Sequence, residues 1–310
     1  MTGTILQPGQ IEAAANIPPF LKLPAADAFT RRGARLHRLA EGHALGDYLN
    51  LIAGLCQAQQ RVADKLAPLP LPDEQQLARS REHQMPPLGY ENLVREGRWL
   101  AVLDALLAEL DEPANAAVGA ALEHLRQADA GQRKAWALGL LNGQYSLLPA
   151  ALVPFLGAAL QVAFSHWLLA LPEGLLHETQ EQNHCPACGS PPVGGVIHSR
   201  GQYNTLRYLT CSLCACQWHY VRVKCSHCRE SKGLFNLALD SDAQSAEHAP
   251  LRAEVCPACQ GYLKQYYLER DEYADAQADD LASLALDIRL AEDGYLRRSP
   301  NLLLAPGGDD

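Results

Sequence analysis

Eight of the ten cysteines fall as four C-x-x-C pairs within 75 residues: Cys185/Cys188, Cys211/Cys214, Cys225/Cys228 and Cys256/Cys259. Two thiols three residues apart across a tight turn can point at one ion, and two such knuckles complete a tetrahedral shell of four sulfurs. Four knuckles therefore predict two four-cysteine metal centres. The intervals of 22 residues between the first two knuckles and 27 between the last two each suit a hairpin. Sequential pairing is expected, with Cys185, Cys188, Cys211 and Cys214 on one ion and Cys225, Cys228, Cys256 and Cys259 on the other. The competing chemistry is disulfides or redox dithiols, and stable disulfides belong to oxidising compartments. The opening residues have neither a basic n-region nor an apolar h-region. No secretory signal is expected, then, and in the reducing cytosol this pattern reads as metal binding.

Four thiolates suit zinc or iron equally, and spacing leaves both open. The Cys-Pro-Ala-Cys knuckles at 185 and 256 resemble those of rubredoxins and zinc ribbons. Proline fixes φ after the first cysteine, and Gly189 accepts the left-handed backbone that turns N–H groups toward sulfur. Cys211-Ser-Leu-Cys214-Ala and Cys225-Ser-His-Cys228-Arg lack both, so less regular and more exposed turns are expected there. A centre closed by four thiolates keeps no position for water or substrate, unlike catalytic zinc. With no P-loop, dinucleotide fingerprint, H-E-x-x-H or G-x-S-x-G either, no enzymatic activity is expected.

Around the knuckles stand groups of open purpose. Cys216 offers a nucleophile or a fifth ligand, but reads first as part of the short strand leaving its knuckle. His227, inside a knuckle, is outcompeted as a ligand by four cysteines. His184 and His198 read as surface or supporting groups, Cys56 as core, and His124 and His166 as packed or exposed helix residues. Arg200, Arg207, Arg222, Lys224, Arg229 and Arg252 can offset the negative charge of the thiolate centres. Arg200, Arg207, Arg222 and Trp218 are the candidate face for a protein partner. Net charge is −9, which disfavours nucleic acid and anionic membranes. Residues 184–270 alone are mildly basic, with nine Lys/Arg against six Asp/Glu, well short of a nucleic-acid stripe. The longest apolar stretch, Leu147–Leu171, is interrupted by Pro149, Pro154, Gln161, Ser165 and His166, so no membrane span is expected.

The elements that must position these residues divide the chain into an α-helical domain (1–183), a first rubredoxin-like module (184–222), a second (223–270), and a C-terminal helix with a tail (271–310). The fold class is thus α+β. Three- and four-residue apolar spacing predicts a helix over 31–67, ended by Pro68, Pro70 and Pro72, and another over 91–110. Asn115 is placed to start a third through Gln127, with further helices over 132–143 and 149–171. Residues 73–90 read as a connector. Alternating stretches over 196–198, 203–209, 218–223, 234–239 and 262–267 predict short strands, and 275–294 a final helix.

The runs Cys185-Pro-x-Cys-Gly-Ser-x-Pro, Arg207-Tyr-Leu-x-Cys-Ser-x-Cys, Trp218-His-x-x-Arg-x-Lys-Cys-x-x-Cys and Arg252-Ala-Glu-x-Cys-x-x-Cys, with Tyr262-Leu-Lys and Asp280-Leu-Ala-x-Leu-Ala-Leu-Asp, resemble the formate dehydrogenase accessory protein family of the FdhE type. The resemblance covers most of the chain and is weaker in the helical half. It implies a cytoplasmic assembly factor for respiratory formate dehydrogenase. Such a factor acts on the molybdenum-containing catalytic subunit before twin-arginine export and is absent from the finished enzyme. It also implies iron in the rubredoxin-like modules, with all eight knuckle cysteines matched. It assigns Cys216 nothing. The rival readings are a redox protein acting on a partner's cofactor or thiols, and a nucleic-acid-binding zinc ribbon.

Overall fold

The computed structural model describes residues 19–176, 182–198, 206–239 and 248–304. Among the described residues its helical half holds eight α-helices: α1 (Ala28–Ala40), α2 (Gly46–Lys65), α3 (Glu74–Glu82), α4 (Tyr90–Glu96), α5 (Leu100–Glu109), α6 (Ala116–Gln127), α7 (Ala130–Leu141) and α8 (Val153–Ala170). Two spans expected as single helices are each broken in two. Gly42 (φ 68°) lies between α1 and α2, and Gly97 (φ 85°) ends α4. The left-handed backbone at both costs glycine no Cβ clash. The expected connector contains α3 instead. Asp73 accepts from the Gln76 amide while the Gln76 side chain accepts from the Asp73 amide, a reciprocal cap that stabilises a short polar helix. Asn115 does start α6, its side chain accepting from the Val118 amide at 2.9 Å.

Helix α8 is the axis of the core. It is long and apolar enough to cross a membrane, but it lies within the protein interior. Helices α2, α5 and α7 pack around it, contributing Leu49, Ile52, Leu103, Leu106 and Leu140 among others to one cluster.

Among the described residues, seven strands of the C-terminal half and one from near the start of the chain form one eight-stranded sheet. These are β1 (Leu21–Lys22), β2 (Pro192–His198), β3 (Leu206–Cys211), β4 (Gln217–His219), β5 (Phe235–Leu237), β6 (Leu251–Cys256), β7 (Gly261–Tyr267) and β8 (Leu296–Arg297). Strand order is β1-β4-β3-β2-β7-β6-β5, with β8 beside β7. Each half of the duplicated pattern is antiparallel. A parallel seam between β2 and β7, Gly195 opposite Gln265, fuses the halves. A Cβ at Gly195 would sit 2.1 Å from Gln265 Oε1, so a larger residue here would force the Gln265 side chain to move. The strand β6 escaped the sequence pattern; it pairs along its whole length with β7.

Two short helices, α9 (Ala278–Leu281) and α10 (Leu284–Glu292), follow. The acidic run before them is anchored by arginines of α1. Arg35 pairs with Asp271 and Asp279, both at 2.5 Å, and Arg32 with Asp275 at 3.2 Å. Buried Lys264 of β7 pairs with Asp280 (3.0 Å) and Asp287 (2.6 Å), fixing both helices on the sheet. Residues 301–304 close over α8 at Gly157.

A Cβ at Gly157 would lie 2.0 Å from the Leu302 carbonyl oxygen, so Gly157→Ala must lift this segment from α8. The expected loss in urea titration is about 1–3 kcal/mol, with faster amide exchange at residues 301–304. Gly54→Ala, where a Cβ meets nothing within 4 Å, serves as the control: within α2 it should raise stability by about 0.5–1 kcal/mol and leave exchange at residues 301–304 near wild type.

Candidate metal centres

Each knuckle closes in the same way. The first cysteine's amide donates to the carbonyl five residues on: Cys185 to Ser190 (2.9 Å), Cys211 to Cys216 (2.9 Å) and Cys225 to Glu230 (2.8 Å), with Cys256 pairing with Gly261 in the sheet. The residue after the second cysteine is left-handed in all four: Gly189 (φ 79°), Ala215 (φ 58°), Arg229 (φ 65°) and Gln260 (φ 53°). The two knuckles without glycine or proline therefore adopt the same turn as the others, contrary to the expectation of less regular geometry. Amides then reach sulfur: Leu213 and Cys214 donate to Cys211 Sγ at 3.3 and 3.4 Å, and His227 to Cys225 Sγ at 3.4 Å.

The sulfurs form two sets, Cys185/Cys188/Cys211/Cys214 and Cys225/Cys228/Cys256/Cys259, each with all members within 4.8 Å of one another. This is the sequential pairing. Resolved separations are 3.5 Å for Cys185–Cys214 and Cys188–Cys211, 3.8 Å for Cys225–Cys259 and 3.6 Å for Cys228–Cys256. A tetrahedron with metal–sulfur bonds of about 2.3 Å has edges of about 3.8 Å, so both sets fit an ion such as zinc or iron. Electrostatics agree. Burial pushes the Cys188 and Cys211 thiols well above their ordinary range. Burial opposes ionisation of Cys185 too, but hydrogen bonds from the neighbouring cysteines hold it well below. Four thiolates in so small a volume need a cation between them.

The two sets differ in surroundings. In the first, all four cysteines are 0% exposed and belong to the main helical core. Its backbone carbonyls are held by the helical half. The Leu88 amide donates to Ala187 O and that of Tyr90 to Cys188 O, at 2.8 and 3.1 Å. Gln161 of α8 donates to Ser212 O at 3.0 Å and Ser165 to Cys214 O at 3.3 Å, while Gln277 reaches Cys211 O at 3.3 Å. In the second set Cys228 is exposed and Cys259 half-buried. Its supports are fewer: Tyr220 Oη donates to Cys225 O (3.0 Å), Asn183 to His227 O (2.6 Å) and the Leu296 amide to Gln260 O (2.7 Å).

The residues proposed for a partner face do not share one. Arg207 is 1% exposed and Trp218 0%. Arg207 bridges the modules, donating to Glu254 (2.5 Å), Lys224 O (2.5 Å) and Val221 O. Trp218 donates to Gln182 O at 2.9 Å. Arg222 is exposed, and Arg200 lies outside the described residues. His184 and His227 are exposed and line a cavity of about 990 Å³ with Tyr90, Tyr145, Ile288 and Arg298. It lies between the helical half and the second sulfur set. His198 stands 3.1 Å from Lys22 Nζ, where burial and then that ammonium lower its pKa to about 4. His166 accepts from the Leu69 amide and His124 packs edge-on to Trp136. Cys56 is core, its thiol raised by burial to about 12. Cys216 is more than a strand residue: it is fully buried, with Sγ 3.2 Å from Cys185 Sγ. Sequence reasoning also missed Gln161 and Ser165, whose signal was polarity inside an otherwise apolar helical segment, and Gln277, which lies in the acidic run before α9 and carried no such signal.

Three family models match in succession: "FdhE, N-terminal" over residues 17–181, "FdhE, central domain" over 184–222 and "FdhE, C-terminal domain" over 223–304. A Pseudomonas aeruginosa protein named "Protein FdhE homolog" is 69% identical over 312 residues, covering 100% of both chains. A Stutzerimonas stutzeri protein of the same name is 57% identical over 310 residues, covering 99% of each. The crystal structure of the FdhE protein from Pseudomonas aeruginosa superposes with a TM-score of 0.89 at 67% identity, covering 94% of this chain and 100% of that one.

The difference in burial predicts different metal lability. Loaded with two equivalents of zinc, the protein should lose one to a chelator at least about tenfold faster than the other, because only one site opens to solvent. Cys228→Ser should abolish the fast phase and leave the slow one. Equal rates, or a fast phase that survives Cys228→Ser, would contradict this assignment.

Proposed function

The chain belongs to the FdhE family, and on that premise we propose that it is a cytoplasmic accessory factor in the maturation of respiratory formate dehydrogenase, which acts by binding the catalytic subunit. The observation that carries this reading is the pair of four-cysteine sets, preorganised within a sheet that the helical half supports. Closed by four sulfurs, such a centre has no vacant position for substrate. Its contribution is shape: an ion at each set holds loops whose left-handed residues a short ribbon would not keep by itself. Iron is the proposed occupant and zinc the alternative. The chemistry either ion supplies is charge balance for four thiolates, with electron transfer added by iron.

The partner surface we assign to the side of the second set. There Cys228 is exposed, Arg222 stands at the surface, and the cavity lined by His184, His227 and Arg298 opens beside it. The first set has no surface to offer. Its role is to join the sheet to the helical core, so that the outer loops are held against a rigid body.

In cells lacking their own factor of this kind, the full chain should restore formate dehydrogenase activity and should be captured by a tagged catalytic subunit. The triple variant Arg222→Glu, His227→Glu, Arg298→Glu, which adds negative charge to this surface, should cut capture at least about tenfold with two metal equivalents retained. Failure of the wild-type chain in both assays would refute the functional reading. Undiminished capture by the triple variant would refute only the assigned surface. Elemental analysis and an absorption spectrum after anaerobic purification decide the metal, because ferric sulfur sites absorb visible light and zinc sites do not.

A further inference from the structure

We propose that Cys216 is a positioning residue of the first centre: its thiol donates an S–H···S hydrogen bond to the Cys185 sulfur from outside the ligand shell. The Cys216–Cys185 separation of 3.2 Å is shorter than either resolved separation within that sulfur set, both 3.5 Å. Yet Cys216 falls outside the set of four whose sulfurs are all mutually within 4.8 Å. It is thus close to Cys185, with Cys214 also in reach of its thiol, without sharing the site that the four enclose. Four thiolates complete a tetrahedral shell. The fifth sulfur then contributes as a donor, the one hydrogen-bonding capacity a thiol has that a thiolate lacks.

The backbone fixes it there. Cys216 carries the carbonyl that accepts from Cys211 and so closes the second knuckle, and Ala215 before it is left-handed. The next residue enters β4, paired with β3. The equivalent closing residue of the first knuckle is Ser190, whose hydroxyl turns to Ser212 at 2.9 Å. In the third it is Glu230, whose carboxylate accepts from the Ser231 and Lys232 amides. Among these three closing residues, Cys216 has its side chain on a ligand sulfur. Both sulfurs are fully buried, away from bulk water. A donor to a ligand sulfur draws charge from it, orients it and tunes the ion it holds. This inference is independent of the partner and of the biological role.

The test uses full-length protein with both sites loaded, in wild type, Cys216→Ala, Cys216→Val and Cys216→Ser. Serine keeps a donor; alanine and valine do not. All four should hold two metal equivalents when saturated. By chelator competition, alanine and valine should weaken the slow site by about 10- to 100-fold, while serine stays close to wild type. With Co(II) as the probe ion, the sulfur-to-metal charge-transfer band should shift in alanine and valine and be restored in serine. Unchanged affinity and band in alanine and valine would overturn the proposal. So would loss of a whole equivalent in serine, which would make Cys216 a ligand. If alanine and valine fail to fold, the infrared S–H band decides between wild type and serine. Loaded wild type should retain two thiol protons, on Cys56 and Cys216, and Cys216→Ser only one; an unchanged band would overturn the proposal.

Discussion

Four sulfur atoms brought within a few ångströms of each other at zero exposure impose the central constraint on this molecule. Thiols can pack in such a space as small apolar groups, but four thiolates there repel one another and lack water. The backbone around them is held in an uncommon conformation as well. Three of the four left-handed knuckle positions carry a side chain: Ala215, Arg229 and Gln260. Each costs on the order of 1–3 kcal/mol. Binding of a structural ion to four thiolates is worth about 10–16 kcal/mol, enough to hold all the turns and leave a surplus. The same comparison explains why glycine is dispensable at those three positions.

Helical and sheet halves are joined at this point of constraint. The first sulfur set belongs to the same apolar cluster as α2, α5 and α8, and its peptide carbonyls would be stranded without partners in that dry interior. Gln161, Ser165, Gln277 and the amides of Leu88 and Tyr90 supply them. Arg207 extends the connection to the second module, reaching both Glu254 and the carbonyls of residues 221 and 224. Its burial follows from this role, and that of Trp218 from its place in the main apolar cluster. Groups that hold two modules together have no free surface to present to a partner.

Duplication of one motif has therefore produced two unlike sites. The inner one is sealed by a helical domain on one side and by its sheet partner on the other. The outer one stands outside the main apolar cluster and leaves Cys228 exposed and Cys259 half-buried. Identical ligand chemistry in different surroundings separates anchoring from exposure, and the separation is a matter of what covers each knuckle.

Much of this was legible in the residues alone. The eight ligand candidates, their sequential pairing, the helical half and the change to short strands near residue 184 all follow from local spacing, because a C-x-x-C turn and a three-to-four-residue apolar repeat are properties of contiguous chain. Helix breaks at Gly42 and Gly97 were harder to read, since apolar periodicity runs through both and only the backbone angle distinguishes a break from a tolerated glycine. The strand β6 was missed although Leu251, Ala253 and Val255 alternate with Arg252 and Glu254, because so short a run between a loop and a knuckle is settled only by its pairing with β7. What tertiary structure alone decided were relations between distant segments: the parallel seam of β2 with β7, the burial of Arg207 and Trp218, the reach of Gln161 and Ser165 to a knuckle, and the approach of Cys216 to Cys185. Spacing along a chain states which atoms can meet across a turn. Which surfaces cover them depends on packing between elements a hundred residues apart, and that packing determines burial, polarity and access.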